Sequence, residues 1–189
     1  MVHIDYSFHK VISNHLSGNF IIKDSRSPLI LGIFGPPGEG KTFQTEAVCR
    51  NLGVETLIVS PGELESENAG HPAQLLRSSY MKASRGREDG RPTVIIINDI
   101  DTVLGDWGEL VQYTVNRQVV LGQLMAFCDY PTEVAGHKVN RIPLIFTGNN
   151  PSILYGPMMR PGRMRTFAWV PGVREKVDVL RIFFPAITE

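Results

Sequence analysis

Residues 35–42 read Gly-Pro-Pro-Gly-Glu-Gly-Lys-Thr, three glycines spaced ahead of a Lys-Thr pair. That pattern suits one kind of chemistry, the holding of a phosphate chain. Gly35, Gly38 and Gly40 leave backbone N–H groups uncovered, while Pro36, Pro37 and Glu39 complete the loop. A helix starting near Lys41 turns the positive end of its dipole toward an anion. The Lys41 ammonium is expected on the β- and γ-phosphates and the Thr42 hydroxyl on a magnesium ion, with Phe43 counted among the nucleotide contacts. The expected ligand is ATP with Mg2+. A second chemical group closes the run Thr93-Val-Ile-Ile-Ile-Asn98-Asp99-Ile100-Asp101. Hydrolysis needs oxygen donors around the metal and a carboxylate that orients or deprotonates the attacking water. Asp99 is the candidate catalytic carboxylate and a metal-site residue, and Asn98 is expected to accept from a water on the magnesium. Asp101 either caps the next helix or contacts a neighbouring molecule.

These residues need elements to position them. Phe8, Val11, Ile12, His15 and Leu16 recur at helical spacing, so Asp5–Leu16 reads as an amphipathic helix packed on the core, ended by Gly18 and Asn19. Leu29–Phe34 reads as a buried strand leading into the phosphate loop. Lys41–Leu52 reads as a helix with Gly53 as its cap, and Glu55–Ser60 as a strand. His71–Ser84 is expected to be helical and Arg85–Arg91 an exposed, mobile charged loop. Four successive apolar residues, Val94–Ile97, indicate a central strand buried on both faces. A helix is expected over Gln112–Cys128, strands over Ile142–Thr147 and Thr166–Val170, and a last helix from Arg174. Alternating strands and helices predict an α/β fold with a mainly parallel sheet and its ligand loops at the carboxyl ends of the strands. The expected division is an N-terminal helix and linker (1–28), a nucleotide-binding core (29–172) and the start of a further helical segment (173–189).

Composition narrows the function classes. Lys+Arg and Asp+Glu both total 19, so the formal net charge is zero, which argues against a general nucleic-acid binder. No run approaches the roughly 18 apolar residues of a membrane span. No nucleic-acid or membrane partner is expected. Cys49 and Cys128 are far apart and read as reduced, mostly buried thiols of a cytoplasmic or stromal protein. His3, His9, His15, His71 and His137 show no metal-ligand spacing; they read as surface or capping residues, and no zinc is expected.

Two further segments follow the acidic strand end. Leu144-Ile-Phe-Thr147-Gly148-Asn149 finishes the fourth strand on a polar residue, and Met158-Met159-Arg160-Pro161-Gly162-Arg163 precedes the fifth. With the phosphate loop, this order resembles the AAA+ ATPases. The resemblance implies a P-loop NTPase three-layer sandwich with strand order 5-1-4-3-2. It implies that Asn149 positions the lytic water, with Asn150 as the weaker candidate. It also makes Arg160 and Arg163 catalytic residues that reach the next subunit's γ-phosphate within a ring, with a hexamer expected. The usual strand end there is Asp-Glu; here Asn98 and Asp99 stand in those places.

Several segments are similar to the green-type Rubisco activase family: Gly40-Lys-Thr-Phe-Gln44, Gly62-Glu-Leu-Glu-Ser66, Asn68-Ala-Gly70, Ile97-Asn-Asp-Ile-Asp101, Gln112-Tyr-Thr-Val-Asn116, Asp129-Tyr-Pro-Thr132 and Gly162-Arg-Met164. This implies an ATP-driven remodeller that frees inhibited Rubisco of tight-binding sugar phosphates, in the plastid stroma if the source is a plant or alga. Loops at about Glu65–Gly70 and Leu104–Gln112 would face the ring's pore; Trp107 in the second is either a gripping residue or a partly buried anchor. Such modules continue into a helical lid, which this chain stops short of at Glu189, so it is expected to be nearly inactive and mostly monomeric alone. The alternative function is a nucleotide-binding switch or assembly subunit with weak hydrolysis and a client other than Rubisco. A P-loop kinase fits less well, because no acceptor pocket or inserted lid is visible.

Overall fold

Val94–Ile97 form the centre of β3 (Thr93–Ile97), and all five residues of that strand are buried. The structure is a computed structural model describing residues 4–22, 25–64, 70–105 and 114–183. Strand β3 lies in a sheet with β1 (Ile30–Phe34), β2 (Glu55–Val59), β6 (Leu144–Gly148) and β7 (Met164–Ala168). The order is β2-β3-β6-β1-β7 and every pairing is parallel. Counted along the chain these are strands 2-3-4-1-5, the expected order. A small antiparallel hairpin, β4 (Glu133–Val134) with β5 (His137–Lys138), stands apart.

Period-two alternation splits the central strands between two cores. Ile30, Ile95, Ile97, Leu144 and Phe146 face one side, under α4 (His71–Glu88), α5 (Ile100–Leu104) and α6 (Thr114–Asp129). Leu31, Ile33, Val94, Ile96 and Ile145 face the other, under α1 (Tyr6–Phe20) and α2 (Lys41–Asn51). The result is three layers. A short helix α3 (Pro61–Leu64) follows β2, and α7 (Val173–Phe183) follows β7.

Helix α1 docks through Phe8, Ile12 and Leu16, all buried. Burial of side chains this size contributes roughly 1.5–3 kcal/mol each. Asp5 caps the helix, accepting from the N–H groups of Ser7 and Phe8. The helix does not stop at Gly18 and Asn19 as its composition suggests. Gly18 packs where a Cβ would meet Ser27 Oγ at 2.7 Å, and the buried Asn19 amide donates to the carbonyls of His15 and Pro28. His15 is likewise not a surface residue: it is 5% exposed and its Nε2 bonds the Leu144 carbonyl at 3.1 Å. Helix α4 also outruns its expected end, because Arg87 is anchored rather than solvated. It donates to the carbonyls of Arg141 and Phe20, and Gly90 (φ 78°) follows in the left-handed conformation that stops the helix. Strand β7 begins two residues early, since Met164 is buried opposite Ile30 while Val170 is exposed. Helix α6 is described from Thr114, so the first expected residues of that helix lie outside the described residues. So do residues 65–69 and 106–112 of the two expected pore loops, Trp107 among them.

Burial lowers the His15 pKa from 6.5 to about 4, and the nearby Arg141 and Arg165 charges act in the same direction. Above pH 6.5 the imidazole is neutral in both states. Below it the unfolded chain takes a proton that the folded one refuses, so stability falls until pH 4, by roughly 3 kcal/mol in all. Denaturant titrations between pH 7 and 4 should show a shallower decline for His15→Gln than for the parent chain. Equal slopes would contradict the assignment.

Candidate active site

Three strand ends converge on the phosphate loop. The loop leaves β1 after Phe34, Asn98 follows β3, and Asn149 follows β6, and these three strands are adjacent. Gly35 is pinned on both sides: its N–H donates to the Gly148 carbonyl at 3.2 Å, and a Cβ on it would stand 1.8 Å from the Trp169 carbonyl oxygen. Gly38 (φ 77°) and Gly40 (φ 74°) hold left-handed conformations with open space where side chains would be. That leaves the cradle clear for an anion. Helix α2 starts at Lys41, so its free N–H groups add to the cradle.

The Lys41 side chain is 7% exposed, and its ammonium donates to the carbonyls of Gly35 and Pro36 (2.8 Å each) and to Asn149 Oδ1 (2.9 Å). Burial lowers its pKa, and Asp99, Asp101 and Glu39 oppose that shift. The carbonyl partners are neutral, so phosphate oxygens, which make stronger charge-assisted bonds, can replace them. Asn98 Oδ1 accepts from the hydroxyls of Thr42 (3.2 Å) and Thr147 (3.1 Å). Asp99 is exposed beside it, with φ 45°, and its N–H donates to Thr147 Oγ1. Asp tolerates this left-handed region better than most residues, and non-glycine outliers of this sort collect at functional sites.

Asn149 and Asn150, adjacent in sequence, are separated by their bonds. Asn149 holds Lys41, whereas Asn150 Oδ1 accepts from Ser152 N and Oγ and caps the turn Pro151–Ile153. Asp101 neither caps the outside of its helix nor faces a neighbour. It is 2% exposed, and its Oδ2 accepts from the N–H groups of both Asn149 (2.9 Å) and Asn150 (3.0 Å). Its Oδ1 lies where a Cβ on Gly148 would come to 2.8 Å. Asp101 therefore sets the height at which Asn149 meets Lys41, a role that nothing local in the sequence signals.

A cleft of about 430 Å³ opens beside the loop, lined by Glu39, Gly40, Phe43, Gln44, Trp169 and Leu180 among others. That volume suits a small organic ligand. Trp169 donates from Nε1 to the Glu39 carbonyl, and Lys176 of α7 pairs with the Glu39 carboxylate at 2.7 Å. Asp5 N donates to Gln44 Oε1, bringing the start of α1 to the same wall. Trp169 and Leu180, by contrast, come from distant segments and are not named by the loop motif.

Arg160 and Arg163 lie elsewhere. Ile30 N donates to the Arg163 carbonyl, so the turn carrying both arginines meets the start of β1. The phosphate loop leaves the other end of that strand. At about 3.3 Å per residue the four steps from Ile30 to Phe34 separate them by roughly 13 Å, beyond the reach of an arginine side chain. Arg160 is exposed. Arg163 is paired with Asp129, Nε to Oδ1 at 2.9 Å and Nη2 to Oδ2 at 2.8 Å.

Oxygen donors suited to magnesium meet where the Thr42 hydroxyl reaches the Asn98 carboxamide, and Asp99, the next residue in the chain, is exposed. Mg2+ takes few protein ligands alongside water and phosphate oxygens, so this set fits the ion.

The profile of the family described as "ATPase family associated with various cellular activities (AAA)" matches residues 31–171. The chain is 40% identical over 184 residues to the chloroplastic ribulose bisphosphate carboxylase/oxygenase activase of Chlamydomonas reinhardtii, covering 94% of this chain and 45% of that one. It is 43% identical over 177 residues to the chloroplastic activase of Zea mays (90% and 41% covered). It is 44% identical over 174 residues to the activase of Nostoc sp. (88% and 42% covered). It thus spans less than half the length of these curated relatives.

Proposed function

The chain belongs to the AAA family of ATPases, and on that premise we propose that it binds ATP with magnesium and hydrolyses it in a ring whose active sites are completed by neighbouring protomers. The observation that carries this reading is the split of the polar machinery between two ends of the sheet. Lys41, Thr42, Asn98, Asp99 and Asn149 gather at the carboxyl end of β1, β3 and β6, and the turn carrying Arg160 and Arg163 sits at the opposite end, away from its own protomer's phosphate loop.

The backbone N–H groups of Gly38–Lys41 cradle the phosphates, and Lys41 exchanges the Gly35 and Pro36 carbonyls for β- and γ-oxygens. Thr42 would hold the magnesium, with Asn98 accepting from a water on it, and the ion when bound would offset the charge on those oxygens. The Asp99 carboxylate accepts the proton of the attacking water, and the Asn149 carboxamide, fixed by Asp101, orients that water. The base occupies the cleft along Phe43 and Trp169. The arginine turn of the next protomer meets the charge that builds on the γ-phosphoryl.

The proposed assembly is a hexameric ring and the proposed client is Rubisco, on the likeness to the activases, with the plastid stroma or a bacterial cytoplasm as its place. The test is phosphate release measured with particle mass across a dilution series. Turnover per protomer should rise with assembly. Fast turnover that is independent of concentration would refute the shared site, and association without phosphate release would favour a nucleotide switch.

A further inference from the structure

We propose that the two arginines divide the work at the subunit junction: Arg160 is the group presented to the neighbour's nucleotide, and Arg163 is a positioning residue, locked by Asp129, that fixes the turn from which Arg160 projects. This rests on the composite site above and refines it.

Each guanidinium nitrogen of Arg163 already has a partner within its own protomer. Nε and Nη2 form the two-pronged pair with Asp129, and Nη1 donates to the Pro157 carbonyl at 3.0 Å. Asp129 is the last residue of α6, a helix seated in the core by Val120, Leu124 and Phe127. Pro157 belongs to the single turn Gly156–Met159 just before Arg160. The Arg163 guanidinium thus ties a rigid helix end to the base of the arginine turn. The backbone repeats the arrangement: the N–H groups of Arg163 (2.8 Å) and Met164 (3.0 Å) both donate to the Arg160 carbonyl, and the Arg163 carbonyl accepts from Ile30 N. Arg160 is exposed, and its extended backbone (φ −61°, ψ 141°) carries it out of the turn.

The two side chains therefore begin from unequal states. To reach a foreign phosphate, Arg163 must break two charge-assisted bonds and leave the Asp129 carboxylate without its fork. No bond of the Arg160 side chain to another described residue has to be broken for Arg160 to do so.

The test compares phosphate release by the assembled protein in Arg160→Ala, Arg163→Ala, Asp129→Ala and the exchanged pair Asp129→Arg/Arg163→Asp. Arg160→Ala should lose about a thousandfold in kcat, the usual worth of an arginine in trans. Arg163→Ala and Asp129→Ala should each lose about tenfold, the scale of a well-formed charged pair, and the exchanged pair should regain most of that. An exchanged pair as inactive as Arg160→Ala, or a harmless Asp129→Ala beside an inactive Arg163→Ala, overturns the proposal. Hydrogen exchange needs no turnover: protection of the Arg163 and Met164 amides should fall about tenfold in Asp129→Ala and hold in Arg160→Ala. Unchanged protection in Asp129→Ala overturns the positioning role. A parent chain that releases no phosphate at any concentration overturns instead the composite-site reading on which Arg160's part depends.

Discussion

Lys41→Met should abolish ATP binding while leaving the fold in place, raising the Kd by about a hundredfold or more. The ammonium is the hub of the loop, bonded to Gly35, Pro36 and Asn149 at 2.8, 2.8 and 2.9 Å. It is also the cation that balances Asp99, Asp101 and Glu39, the three acidic groups that act on its titration. Without it the loop loses that cation as the triphosphate approaches, although Glu39 keeps a cationic partner in Lys176. Two charge-assisted bonds to phosphate at roughly 1.5–3 kcal/mol each suffice for the predicted loss. Methionine preserves most of the apolar stem, which is buried with the rest of the side chain. The unpaired loop carbonyls should then cost about 1–3 kcal/mol of stability, visible as a modest drop in Tm. Calorimetric titration with ATP measures the first effect and thermal melting the second. Affinity retained within about fivefold would mean that the backbone cradle binds the phosphates without Lys41.

Asp99→Asn should separate binding from chemistry. Nucleotide affinity should stay within a few-fold of the parent value, and single-turnover phosphate release should fall by about 10²–10⁴, the worth of a general base. The substitution suits the question because the position is left-handed (φ 45°), a region that asparagine enters as easily as aspartate. The N–H bond to Thr147 Oγ1 survives, as does the exposure of the side chain. What disappears is the charge and the ability to take a proton. Release within about threefold of the parent would remove Asp99 from the role of base.

How much of this was legible beforehand varies with the range of the forces involved. The phosphate loop was readable because its demands are local: only glycine gives uncovered N–H groups at φ 77° and 74° in three residues. Strand β3 was readable because burial on both faces requires an unbroken apolar run. The ends of α1 and α4 are not legible from local signals, for the opposite reason. Gly18 and Asn19 carry a local stop signal, but the close approach of Ser27 and the carbonyl of Pro28 explain both residues within a continuing helix. Arg87 looked like a loop charge until Phe20 and Arg141 supplied carbonyls from two other segments. His15 looked like a surface residue until β6 met it at Leu144.

The arginines follow the same rule. Their presence in one short turn is a property of the sequence, and so is their resemblance to groups that act in trans. Their distance from the protomer's own phosphate loop follows from the parallel pairing of β7 with β1, and the pairing of Arg163 with Asp129 follows from where α6 ends.

By itself, then, the sequence determined that Gly35–Thr42 forms a glycine loop suited to phosphate and that the strands alternate with helices, because glycine geometry and hydrophobic period act within a few residues. Only the tertiary structure decided which asparagine serves Lys41, what the buried carboxylate of Asp101 is for, and which arginine is held. Those assignments depend on single hydrogen bonds between segments 30 to 110 positions apart, and no local pattern records which donors and acceptors the packed sheet will bring together.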